Sequence, residues 1–300
     1  MTSDENSTDF HSGYVSIIGR PNVGKSTLLN SILSEKIAIV TKKPQTTRNR
    51  IIGIKTLPEA QIIFIDTPGI HIPKHKLDEV MVRTAMEALK EVDVILFMVE
   101  PHKPGKGEKA IIDLLKKVRT PVFLLINKID TVRKPEILPL IDHFKELYLF
   151  KEIIPVSALT QDGIGLLIER ICKYLPSGPM YYPEDLVTDQ LERFMVSEII
   201  REKIMDMTEE EVPHSVAVEV AGWNEREDGL ISISGNIYVE RESQKGIIIG
   251  KKGIMLKSIG SAARVDIENL LNTRVFLELW VKVKKDWRND KRLLHELGYK

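Results

Sequence analysis

Residues Gly19-Arg20-Pro21-Asn22-Val23-Gly24-Lys25-Ser26-Thr27 carry the pattern G-x-x-x-x-G-K-[ST], between an apolar run at 14–18 and a helix-like run at 28–33. Strand, loop and helix in that order make a cradle for phosphate. The glycines let successive backbone N–H groups turn onto phosphate oxygens, and the following helix presents its positive end to the same anion. Lys25 is placed to reach the β- and γ-phosphates, and Ser26 to hold Mg2+. The loop specifies a triphosphate and leaves its base open.

Three more clusters supply the rest of the chemistry. Asp66-Thr67-Pro68-Gly69 ends an apolar run at 61–65. An aspartate there holds a metal's water shell, and Gly69 offers its N–H to a γ-phosphate. Asn127-Lys128-Ile129-Asp130 ends the run 122–126. The Asp130 carboxylate accepts hydrogen bonds from the N1–H and exocyclic amine of guanine, positions where adenine has no donor. An unpaired carboxylate rejects the wrong base by a factor of roughly 10^4. Ser157-Ala158-Leu159, after the run 153–156, offers the Ala158 N–H to guanine O6. The base read by this set is guanine.

The elements that must hold these clusters follow from hydrophobic pattern. Residues 14–18, 51–55, 61–65, 92–99, 122–126 and 153–156 read as strands, and 78–91, 108–118, 135–148 and 164–174 as helices. Residues 51–55 and 61–65 form a hairpin, after a polar, basic loop at 41–50. Continuous apolar strands alternating with amphipathic helices predict an α/β domain, a mainly parallel sheet with helices on both faces. Ligands in such sheets bind at the strands' carboxyl ends, where all four clusters fall. The chain has 300 residues, 43% hydrophobic and 29% charged, which suits two globular domains and excludes a fibrous repeat. No apolar run is long enough to cross a bilayer. Cys172 is the single cysteine, which excludes an internal disulfide. Residues 1–12 are acidic and polar, unlike a secretory leader, and are expected to be a disordered tail on a cytoplasmic protein.

In their order these motifs resemble those of a translation-factor-related GTPase. The resemblance implies a threonine in the first switch loop that ligates Mg2+ in the GTP state and releases on hydrolysis. By position it is Thr47 or Thr46, with Thr47 preferred, so the implied metal set is Ser26, Thr47 and Asp66. Ile70 stands where Ras-like members carry a water-orienting glutamine. Intrinsic hydrolysis is therefore expected to be slow, or the water to be held by backbone and ion. In GTPases that look similar here, the asparagine at Asn22 helps bind K+, which acts where an arginine finger otherwise would. Lys25, Thr47, Gly69 and Asn22 are accordingly the expected catalytic group.

Past a proline-rich stretch, the linker at 176–188, the pattern changes. A helix at 191–207 and strands at 216–220, 230–239 and 274–283 predict a small three-stranded sheet under helices. Gly250-Lys251-Lys252-Gly253 lies between an apolar stretch, 247–249, and a helix, 255–271. Such a turn lets a single-stranded backbone press between two helices while the lysines face its phosphates. This smaller α+β domain resembles a type II KH domain. Ile248, Ile249 and Ile254 are candidates for base contact or for core. Lys257, Lys284, Lys285 and Arg288 add cations, and Trp287 either stacks on a base or caps the domain's core. Residues 245–300 hold 13 Lys+Arg against 6 Asp+Glu, so the net charge of zero hides a basic end.

Together the two halves are similar to the Era-like family of bacterial GTPases over essentially the whole chain beyond the first residues. The division expected is a tail at 1–12, a GTPase domain at 13–175, the linker, a KH domain at 189–284 and a basic tail at 285–300. The resemblance implies a monomer that binds the 3′ end of 16S ribosomal RNA during 30S subunit maturation, in the cytoplasm and loosely at the inner membrane. Two other readings use the same residues. One is an assembly scaffold whose GTPase is a slow timer, and the other is a membrane-signalling GTPase with its basic end on anionic lipid.

Overall fold

The computed structural model describes residues 10–299, so the part of the expected tail at 1–9 lies outside the described residues. The chain divides into two compact units. Among the described residues the first gathers 10–38, Thr47–Ile72 and Met81–Asp189, and the second gathers Ile39–Thr46, Pro73–Val80 and 190–299.

In the first unit, β1 (His11–Gly19), α1 (Lys25–Leu33), β2 (Ile51–Leu57) and β3 (Ala60–Asp66) are followed by α2 (Lys76–Glu87), which starts in the second unit. Then come β4 (Val94–Val99), α3 (Lys106–Leu115), β5 (Val122–Ile126), α4 (Ile137–Lys145), β6 (Glu152–Pro155) and α5 (Ile164–Cys172). The sheet order is β2-β3-β1-β4-β5-β6. Only the β2–β3 hairpin pairs antiparallel within it. β3, β4 and β5 are buried along their whole length, as strands covered on both faces must be.

Three expected boundaries move, each because the backbone there finds partners. Residues 10–12 are not tail: Ser12 is fully buried, its N–H donates to the Pro176 carbonyl and its hydroxyl to that of Pro179. The linker 176–188 belongs to the first unit and runs as a strap over its sheet. The buried Gln61 side chain accepts the N–H groups of Tyr181 and Tyr182 and donates to the Tyr182 carbonyl, while Ile54 N–H donates to the Val187 carbonyl. Residues 285–299 are also not a free tail. Trp287 is fully buried, Tyr299 stacks on it, and α10 (Lys291–Glu296) is N-capped by Asp290.

The second unit contains α6 (Glu192–Met207), the short α7 (Val212–Ser215), β7 (Ala217–Glu225), β8 (Ile231–Val239), α8 (Glu242–Ile249), α9 (Ile254–Leu271) and β9 (Val275–Val283). β7 pairs antiparallel with β8 and β8 parallel with β9, leaving β9 at an edge. Val196, Ile200 and Ile204 of α6 share one core with Ile237 of β8 and with Ile259, Ala263 and Ile267 of α9. On α6, Glu198, Arg201 and Glu202 are buried, because residues 39–46 of the same unit pack against them.

Candidate functional site

β1 lies between β3 and β4 in parallel register, and β4 pairs with β5, so the loops after β1, β3 and β5 gather at one edge of the sheet. The first of them turns into α1 at Gly24, whose φ of 102° and closeness to Asn127 exclude a side chain: a Cβ there would lie 2.3 Å from Asn127 Nδ2. Asn127 fastens the loops together, donating to the Val23 carbonyl at 2.8 Å and accepting the Ala158 N–H at 2.9 Å. Lys128 Nζ donates to the Asn22 carbonyl at 2.9 Å and pairs with Glu100. Thr67 Oγ1 donates to the Ile17 carbonyl, and Ile70 N–H to the Gly19 carbonyl, which ties Asp66-Thr67-Pro68-Gly69 to the first loop.

Lys25 and Asp66 are both buried. Burial pushes the Lys25 ammonium down to about 8 against the pull of Asp66, and Lys25 Nζ donates to the Arg20 carbonyl. Burial pushes the Asp66 carboxyl up, against the opposing effects of Lys25, Ser26, Thr47 and Thr67. Asp66 Oδ2 accepts the Ser26 hydroxyl at 2.6 Å, and Thr47 Oγ1 stands 2.8 Å from Ser26 Oγ. Thr46 turns elsewhere, donating to the Lys43 carbonyl. Asp66 Oδ1 is buried with no hydrogen-bond partner. One carboxylate with an unused oxygen beside two hydroxyls suits a hard divalent cation that takes its other ligands from water and phosphate. Among the described residues no cluster of three or more His, Cys, Asp or Glu could hold a metal ion.

Around the base position, Asp130 is exposed and its Oδ1 accepts the Ser157 hydroxyl at 2.6 Å. The expected role of Ala158 needs correction. Its N–H is spent on Asn127 inside a buried pair, so it is not free for guanine O6. Ile70, which has no polar side-chain atom, packs against the apolar core of the sheet. Glu108 is a site residue that motif reading missed: it is buried, accepts Arg20 Nη1 at 3.0 Å and the Gly105 N–H at 2.9 Å, and so anchors the phosphate loop to α3. Its sequence signal was only an acid three residues after a glycine.

In the second unit the Gly250–Gly253 turn joins α8 to α9. Gly250 has φ 71°, and a Cβ there would lie 2.7 Å from Met255 Cβ. Lys251, Lys252 and Lys257 are exposed, as is Ile254. A groove of about 580 Å³ runs between α9 and the edge strand β9, with Leu256, Lys257, Gly260 and Arg264 on one side and Phe276 and Leu279 on the other. Arg264 and Phe276 carry no motif, and only the pairing of α9 with β9 brings them to the groove. Two expected RNA contacts are corrected by burial. Ile248 is fully buried in the core, and Trp287 donates its indole N–H to the Ser215 carbonyl at 2.9 Å, so it caps the core and has no face for a base. Ile249 is half-buried, Lys284 lies over the Tyr238 ring, Arg288 pairs with Glu240 at 2.6 Å, and Lys285 is exposed.

Two outcomes follow from this geometry. An Asp130→Asn side chain replaces one acceptor by a donor, which suits the 2-oxo group of xanthine and opposes the 2-amino group of guanine. GTP affinity falls by at least about a hundredfold while xanthosine triphosphate gains, measured by competition against a fluorescent nucleotide. The second concerns Lys25. In the folded protein its proton is disfavoured between about pH 8 and its unfolded value, so stability rises with pH through that window. Triphosphate charge restores the proton, so nucleotide binding at pH 8 takes up to about half a proton and at pH 6 almost none. Calorimetry in buffers of different ionisation enthalpy reads this directly, and Lys25→Arg abolishes the uptake.

Comparison with known proteins agrees with both halves. Residues 14–128 match a family model described as a 50S ribosome-binding GTPase, and residues 211–288 match the KH domain model. GTPase Era of Geobacter metallireducens is 60% identical over 292 residues, covering 97% of this chain and 98% of that protein. GTPase Era of Ruminiclostridium cellulolyticum is 57% identical over the same length. Among solved structures, Era in complex with MgGDPNP and nucleotides 1506–1542 of 16S ribosomal RNA superposes with TM-score 0.94 at 44% identity, covering 97% of this chain and 99% of that one. An Aquifex aeolicus Era variant bound to GDP·AlF4− gives TM-score 0.93 at 45% identity, with the same coverage. With a guanine-nucleotide site at one sheet edge and a KH groove in the second unit, the chain belongs to the GTPase Era family.

Proposed function

We propose that this chain is a GTP-hydrolysing switch that holds the 3′ end of small-subunit ribosomal RNA in the groove beside Gly250–Gly253 and acts in 30S subunit maturation. The observation that carries the RNA reading is the groove itself. Leu256 and Leu279 give it apolar walls, Gly260 gives it room, Lys257 and Arg264 stand at its rim, and β9 leaves one row of backbone donors and acceptors unused by the sheet. Bases fit such a wall by stacking and edge hydrogen bonds, and phosphates meet the lysines. The related Era structure with a 16S fragment supports the choice of RNA.

At the nucleotide site, Lys25 would face the β- and γ-phosphates and Asp130 the guanine, and Ser26, Thr47 and Asp66 would hold Mg2+. The ion neutralises charge on the β- and γ-oxygens when bound. Thr47 is drawn to Ser26 and Asp66 in the triphosphate state and released after hydrolysis. Ile70 leaves the attacking water to backbone groups, and Asn22 would help hold K+. Monomeric action in the cytoplasm, with loose contact at the inner membrane through exposed lysines, completes the reading. No helix among the described residues is long and apolar enough to cross a membrane.

Titration of a fluorescent RNA of the 16S 3′ end tests the groove. Replacing Lys251 and Lys252 by Gln lowers affinity and flattens the plot of log K against log salt by about 1.4, two phosphate contacts' worth for a single strand. An unchanged slope, or anionic vesicles displacing the RNA from the wild-type protein, would sink it. Turnover in K+ against Na+ tests the ion: wild type is faster in K+, and Asn22→Ala turns over equally slowly in both.

A further inference from the structure

α6 carries a buried ionic cluster that neither nucleotide chemistry nor the RNA groove has yet used. Arg201, fully buried, donates Nε to Glu198 Oε1 at 2.8 Å, and its Nη2 reaches both Glu198 Oε2 and the Thr46 carbonyl. One turn along the helix face, Glu202 Oε1 accepts the Val40 N–H at 3.0 Å. Lys203 pairs with Glu202 at 3.3 Å and with Asp266 of α9 at 2.6 Å. Within the same unit, Gln45 donates to Asp78 Oδ1, and Asp78 Oδ2 caps Lys74 and His75. All of these residues belong to the second unit. Together they grip both ends of the segment 40–46 through its backbone.

Taking an arginine and two glutamates out of water is costly, and a helix in this position could bury apolar side chains instead. The cluster spends its hydrogen bonds on two particular backbone groups of one loop. That loop's next residue is Thr47, one peptide bond beyond Thr46, and Thr47 Oγ1 stands 2.8 Å from Ser26 Oγ beside Asp66. Fixing the Thr46 carbonyl therefore fixes where the Thr47 hydroxyl starts from. Because Lys203 joins Glu202 to Asp266, the same grip begins on α9, the helix that lines the groove.

We propose that Arg201 and Glu202 are positioning residues for GTP: from α6 they hold residues 40–46 and so set where Thr47, the next residue, stands beside Ser26 and Asp66. The inference rests on the nucleotide site as read above and does not need the RNA assignment. Its mark is selectivity between nucleotides, since Thr47 serves only the triphosphate state, whereas a merely structural role would affect both alike.

The experiment uses the full chain in Mg2+ and measures affinity for a non-hydrolysable GTP analogue and for GDP. Arg201→Lys keeps the charge but cannot serve Glu198 and Thr46 at once. The double variant Arg201→Met with Glu198→Leu removes the pair without stranding a buried charge. Each weakens the GTP analogue about tenfold, the worth of one charge-assisted hydrogen bond, and leaves GDP within about twofold. Glu202→Gln, a milder change at the Val40 contact, shifts the ratio the same way and covers the case in which an Arg201 variant melts below the assay temperature. Equal losses for both nucleotides, or no change for either in folded variants, would overturn the proposal. Retained RNA affinity in the same variants separates that failure from failure of the RNA reading.

Discussion

Everything at the nucleotide edge depends on a lysine and an aspartate held out of water. Lys25 and Asp66 are buried, and burial moves each toward its neutral form, the ammonium down to about 8 and the carboxyl up. Their mutual attraction offsets only part of that desolvation. A triphosphate with its cation supplies what both lack: negative charge for the ammonium and positive charge for the open oxygen of the carboxylate. The site is thus under electrostatic tension that a bound triphosphate and cation would relieve.

The sheet makes this affordable by rigidity. β3, β4 and β5 are buried end to end, so the loops that leave them have little freedom to drift apart. Asn127 then bridges from the base-reading loop to the phosphate loop through Val23 and to the next loop through Ala158. Glu108 does the same for Arg20 from α3. In the second unit the parallel β8–β9 pair leaves β9 at an edge, and α9 alongside it makes a groove with charged rims and apolar walls.

Much of this was legible in residues because the chemistry of phosphate loops is local. Gly24, Lys25 and Ser26 stand in one contiguous motif, Asp66 with Gly69 in a second and Asp130 in a third, and the residue types and spacing within each motif convey them. Hydrophobic periodicity likewise conveyed the alternation of strand and helix and the small α+β second half. What spacing left open was which polar groups are spent and which indole or isoleucine is covered. The Ala158 N–H is used by a residue 31 positions away, and Trp287 by a carbonyl 72 positions away.

The sequence by itself determined the reaction class, the base and the order of the two domains, because each follows from short contiguous patterns whose geometry the backbone enforces. Tertiary structure alone decided that residues 176–188 form a strap on the first sheet, that the closing residues complete a core, and that Arg264 and Phe276 face one groove. It also decided that the charged face of α6 is buried against residues 40–46. The reason is the same in each case: burial and pairing between distant segments depend on which elements pack together, and no periodicity within one element records its neighbour.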